Sequence, residues 1–101
     1  MGWATAHIAK LKEGETVQFR APNGKSMMGL IESGQLVTIE PVSTDIKVDE
    51  IVLCSVHGRQ YLHLVKAKRG DQYQIGNNHG RINGWTDLIY GRVTMVENVS
   101  P

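Results

Sequence analysis

Ile51-Val52-Leu53-Cys54-Ser55-Val56, then His57-Gly58-Arg59, then Gln60-Tyr61-Leu62-His63-Leu64-Val65-Lys66: the fold turns on the reading of this stretch. Its first segment is apolar at neighbouring positions, as a strand covered on both faces in the middle of a sheet must be. His57-Gly58-Arg59 has the composition of a hairpin turn, and the second segment returns as the partner strand. Successive strand side chains point to opposite faces, so Tyr61, His63 and Val65 share one and Leu62 and Leu64 the other. The two leucines are expected to face the main core. His63 is then expected on a half-covered face, where partial loss of water favours the neutral imidazole that can act as a base.

Working outward, the neighbouring segments repeat the strand pattern. Thr16-Val17-Gln18-Phe19-Arg20 alternates polar and apolar residues, and Gln35-Leu36-Val37-Thr38-Ile39-Glu40 is a strand ended by Pro41. Residues 46–50 lead into the central strand. Arg69-Gly70-Asp71 makes a second turn before the strand Gln72-Tyr73-Gln74-Ile75. A long polar loop is expected from Gly76 through Gly84, and residues 89–96 close the fold as a last strand. Residues 3–12 fit either a short helix or a strand, with Ile8 and Leu11 as apolar points, followed by a turn at Lys12-Glu13-Gly14-Glu15. Ala21-Pro22-Asn23-Gly24 breaks the first strand, since proline cannot donate to a ladder and Asn-Gly favours a turn. Residues 27–32 read as a single helical turn stopped by Ser33-Gly34. The expectation is one mainly β, mostly antiparallel domain over residues 1–101 with at most short helices.

The composition narrows the function classes. A chain of 101 residues, 41% hydrophobic and 21% charged, suits one soluble domain with one modest core. Eleven Lys and Arg against ten Asp and Glu leave a formal charge of +1, which argues against nucleic acid as a partner. Lys66, Lys68 and Arg69 form a small basic patch that reads as the solvated end of a hairpin. No apolar run approaches the ~20 residues that span a bilayer, so no membrane partner is expected. Met1-Gly2-Trp3-Ala4-Thr5-Ala6 lacks the basic and long apolar regions of a secretion signal, and Ala6 stands where myristoylation needs Ser or Thr. Cys54 is the one cysteine, so no internal disulfide forms and a cytoplasmic location is expected. The Asn98-Val99-Ser100 sequon is then accidental. His57, His63 and His79 include no close-spaced ligand pair, so neither a metal nor another cofactor is expected.

The candidate chemistry lies in Gly24-Lys25-Ser26-Met27-Met28-Gly29, read with His63. A serine in a glycine-flanked turn presents its hydroxyl at the edge of a rigid scaffold. A hydroxyl is a weak nucleophile near neutral pH and needs a base, and imidazole titrates in the working range. Ser26 and His63 are therefore the candidate catalytic pair. The bland alternatives are a turn serine capping the segment after it and a hydrogen-bonded strand histidine. Met27 and Met28 are assigned to a substrate groove, or else to core packing. Trp85, in the expected polar loop, walls a peptide groove or pins the loop.

These residues resemble the catalytic domain shared by signal peptidases and LexA-like repressors. Gly24-Lys25-Ser26-Met27 matches the family's Gly-x-Ser-Met nucleophile segment. Gly34-Gln35-Leu36-Val37 and Asp49-Glu50-Ile51-Val52 echo its two Gly-Asp strand entries, and His63-Leu64-Val65-Lys66 with Gly70-Asp71 fits the strand of the base. Gly76-Asn77-Asn78 looks like the family's Gly-Asp-Asn segment, and Gly91-Arg92-Val93 like its closing strand. The ordered set covers roughly residues 16–96. Met28-Gly29 replaces the usual proline, both Gly-Asp pairs are altered, and Asn77, Asn78 and Asn83 occupy a loop where histidine-using members carry aspartates. Asp87 is the nearest spare acid in sequence.

The resemblance implies a β-rich fold and a serine endopeptidase acting on an extended peptide or protein. Ser26 would be the nucleophile, its own N–H contributing to an oxyanion hole, and His63 would replace the lysine base of most bacterial members. The alternative is an inactive descendant of that fold, a small protein-binding module of phage or mobile-element origin. A small β-barrel nucleic-acid binder is disfavoured by the charge balance. Oligomeric state is not legible.

Overall fold

The computed structural model describes residues 2–99, so Met1 of the leader reading and Ser100 of the sequon lie outside the described residues. One helix, α1 (Thr5–Lys12), precedes seven strands: β1 (Val17–Arg20), β2 (Leu36–Pro41), β3 (Ile51–Val56), β4 (Arg59–Arg69), β5 (Gln72–Gly76), β6 (Ile82–Thr86) and β7 (Ile89–Glu97). They form one sheet in the order β1-β2-β7-β3-β4-β5-β6, every neighbouring pair antiparallel. The mainly β, antiparallel reading holds. No helix among the described residues is long and apolar enough to cross a membrane.

β3 takes the middle place because it is apolar on both faces. Leu53 is buried with Leu62 and Leu64 in one cluster, which also holds Ile8 and Leu11 of α1 together with Met27 and Ile31. Val52, Cys54 and Val56 are buried in a second cluster with Ile46, Val65 and Ile75 on the opposite face. The segment 3–12 resolves to helix, since Ile8 and Leu11, three apart, both reach the first cluster. Gly14, at φ 86°, ends it: its N–H donates to Leu11 O and the Glu15 N–H to Lys10 O, the paired bonds of a Schellman cap.

Two expected elements differ. Residues 27–32 form overlapping turns rather than helix, with bonds from Leu30 N and Ile31 N to Met27 O, because Gly29 leaves helical geometry at φ 95°. The polar loop is shorter than expected: residues 82–86 pair with β5 as strand β6, with Trp85 opposite Gln74. The ladder comes from β5, so β6 forms without an apolar run of its own. The curled sheet brings β6 against the end of β3, where Thr86 Oγ1 donates to Ser55 O at 2.6 Å. On the other side Arg92 of β7 pins residues 44–50, ion-paired to Glu50 (Nε–Oε1 2.9 Å) and donating to Asp45 O at 2.7 Å.

Candidate active site

Ser26 is presented by its neighbours. After β1 the chain turns at Pro22-Asn23, and the Ser33 hydroxyl bridges Gly24, accepting from its N–H at 3.1 Å and donating to its carbonyl at 3.3 Å. Met27 and Ile31 plunge into the core, which leaves Ser26 between them and Gly24 exposed at the surface. The glycine-flanked turn is only half explained by steric need. Gly29 sits at φ 95°, whereas Gly24 has an ordinary φ and no atom within 4 Å of a Cβ built there.

The β5–β6 loop grips this turn from the other side. Asn78 N–H donates to Ser26 O at 2.9 Å, and its Nδ2 donates to Met28 O at 2.7 Å. His79 Nε2 donates to Lys25 O at 2.8 Å. His79 is thus exposed, as its turn position suggested, yet it helps seat the serine. Among the described residues no backbone carbonyl accepts from the Ser26 N–H.

His63 comes from β4, opposite Val52 of β3, with only 8% of its surface exposed. Tyr61, two residues earlier on the same face, stacks on it with centroids 4.9 Å apart. The face assignment made from strand parity is therefore the observed one. Ser26 Oγ lies 3.1 Å from His63 Nε2, across 37 residues of chain. On the far side of the ring, Nδ1 lies 3.0 Å from Asn83 Oδ1. A carbonyl oxygen only accepts, so Nδ1 carries the proton and Nε2 offers its lone pair to the serine hydroxyl. Burial pushes the His63 pKa below its usual 6.5, and the Asn83 hydrogen bond opposes this less strongly. The imidazole is neutral at pH 7, the form a general base requires.

Asn83 was not singled out in the sequence from Asn77 and Asn78, and the spare acid considered there was Asp87. Its placement follows from a β-bulge. Ile75 pairs with Gly84 and Gly76 with Ile82, so Asn83 has no partner opposite and its side chain is re-aimed. The usable signal was Asn83-Gly84 between Ile82 and Trp85, a glycine inside a strand pattern. No family model, curated protein or solved structure matches the chain.

Ser26 and His63 line a cleft of about 440 Å³. Ala21, Met27, Ile31 and Leu62 supply apolar wall, and Trp3 and Tyr61 supply aromatic surface. Met28 does not line it; the residue is 43% exposed to solvent. Trp85 is also outside, its ring under the Arg69 guanidinium at 4.5 Å, so Trp3 takes the walling role considered for it. Along one side runs β4. Its residues 59–63 pair with β3, but β5 begins pairing only at Leu64, so among the described residues no strand covers their other edge. No group of three or more His, Cys, Asp and Glu among the described residues is gathered as a metal site. Cys54 is fully buried, and loss of water pushes its thiol up to about 12.

Proposed function

We propose that the chain is a serine endopeptidase domain of the signal-peptidase and LexA-like kind, working on an extended peptide. One observation carries the reading: a single relay from Ser26 Oγ through the buried, neutral imidazole of His63 to Asn83 Oδ1, opening on a cleft. His63 Nε2 takes the Ser26 proton as Oγ bonds to the scissile carbonyl carbon. The carbonyl oxygen becomes an oxyanion facing the Ser26 N–H. The C–N bond then breaks as His63 returns the proton to the leaving amine. Water, deprotonated by the same nitrogen, cleaves the acyl ester and restores Ser26. Asn83 holds the tautomer and ring plane, the task a carboxylate performs in other triads. The β4 edge supports an extended ligand, since no strand pairs with residues 59–63 there; the Gln60 carbonyl accepts from the Trp3 indole at 3.2 Å, and the Leu62 main-chain groups face the open side.

The test is labelling by a fluorophosphonate and cleavage of a peptide library, run beside Ser26→Ala and His63→Ala. A Ser26 adduct and peptide cleavage, both lost in each variant, are expected. A folded wild-type protein inert to probe and peptides refutes the reading and leaves the protein-binding module.

A further inference from the structure

We propose that the cleft selects acidic peptides, with Arg59 and Arg81 as the residues that read the carboxylates. This rests on the reading of the cleft as a peptide site. With the His63 imidazole neutral, these arginines are the only charged side chains lining it among the described residues, although the chain carries ten Asp and Glu. Neither guanidinium is spent internally: the one ion pair among the described residues is Arg92–Glu50. Both arginines are exposed. The local excess of positive charge is therefore a property of the cleft, in a chain whose net charge is +1.

Their placement is built. Arg59, Tyr61 and His63 alternate along β4 and share a face, so Arg59 lies about 13 Å from His63, four residues of extended chain. A peptide running beside that edge with its scissile bond at Ser26 brings a side chain about four positions away to Arg59. Arg81 approaches from the loop that seats the serine. Its N–H donates to Asn77 Oδ1 at 3.0 Å and its carbonyl accepts from Asn77 N at 2.9 Å, fixing its backbone and leaving the guanidinium free. The planar fork of arginine matches a carboxylate with two parallel bonds. At such exposed positions the gain is modest and screened by salt.

The experiment uses the full chain and a randomised decapeptide library with a central Ala-Ala, read in two ways. The wild type reports cleavage, and immobilised Ser26→Ala reports capture without cleavage. Expected are enrichment of Asp and Glu about four residues from the cut and a loss of about 2–5-fold in kcat/KM for acidic peptides in each of Arg59→Gln and Arg81→Gln. That loss falls in KM rather than kcat, shrinks in high salt, and is partly restored by Arg59→Lys. Cleavage or capture without acid enrichment, or enrichment that survives the double Gln variant, overturns the inference. Acid-enriched capture by a protein that cleaves nothing upholds it while refuting the peptidase.

Discussion

Replacing Asn83 by Asp tests the relay where the structure departs most from an acid-assisted triad. The Oδ1 that accepts from His63 Nδ1 at 3.0 Å would become part of a carboxylate, at nearly constant side-chain volume. An opposite charge at this range favours the imidazolium and raises a histidine pKa by about 1–3 units. At 1.36 kcal/mol per unit that is about 1.4–4 kcal/mol of differential interaction. In the native protein burial holds the His63 pKa below 6.5, so the unfolded chain binds more protons as the pH falls. The native contribution is therefore intact above about 6.5 and lost as pH drops through the folded value. Once Asn83→Asp lifts the folded pKa above 6.5 the sign inverts, and stability is present below that value and lost as pH rises. The assay is a pH titration of the His63 ring protons by NMR, with urea unfolding from pH 5 to 8 and the rate of fluorophosphonate labelling at each pH. The labelling midpoint should move upward with the ring titration, and above it the variant should react at least as fast as the parent. A His63 titration that stays within about 0.3 units of the parent would refute the reasoning, because a carboxylate on Nδ1 must move the imidazole.

Two further predictions probe the surroundings. Asn78→Ala removes the bond to Met28 O while leaving the main-chain bond to Ser26; it should cost about 0.5–1 kcal/mol, lower the melting temperature by about 2–8 °C, and slow fluorophosphonate labelling several-fold in the folded state. An unchanged labelling rate would show that the β5–β6 loop does not seat the serine. Cys54, with its thiol pushed up to about 12, should resist an aromatic disulfide reagent at pH 8 for hours and react within minutes in guanidinium; rapid reaction in the folded protein would contradict its burial.

The parts of this protein that were legible in its sequence are those whose cause is local. Ile51-Val52-Leu53-Cys54-Ser55-Val56 reads as a central strand because each neighbouring side chain must meet an apolar partner, and it has a separate cluster on each face. Strand parity then separates His63 from Leu62 and Leu64 without any knowledge of the rest of the chain. Residues 3–12 are ambiguous because Ile8 and Leu11 are too few to define a period. Their helix is decided by the core they reach, which belongs to distant strands. β6 was hidden for a related reason: an edge strand paired to β5 draws its order from main-chain bonds, and Ile82 and Trp85 are too few apolar points to mark it as a strand.

Asn83 shows why the candidate site is harder to read than the scaffold. Three asparagines occupy the stretch 77–83, and by residue type each offers the same carbonyl. Their tasks differ because of backbone geometry that arises only between strands. Asn77 closes its own turn by accepting from His79 N and Arg81 N, and Asn78 ties down the serine segment. Asn83 faces the imidazole because the mismatch between Ile75–Gly84 and Gly76–Ile82 rotates it out of the ladder. The same curl that brings Thr86 onto Ser55 carries this bulge over β4. A search of the sequence for an acid near the histidine looks for charge, whereas this fold orients the ring with a neutral carbonyl. That choice has a chemical consequence: without a carboxylate, burial dominates, and the His63 imidazole remains deprotonated at pH values where an acid-assisted histidine would already carry a proton.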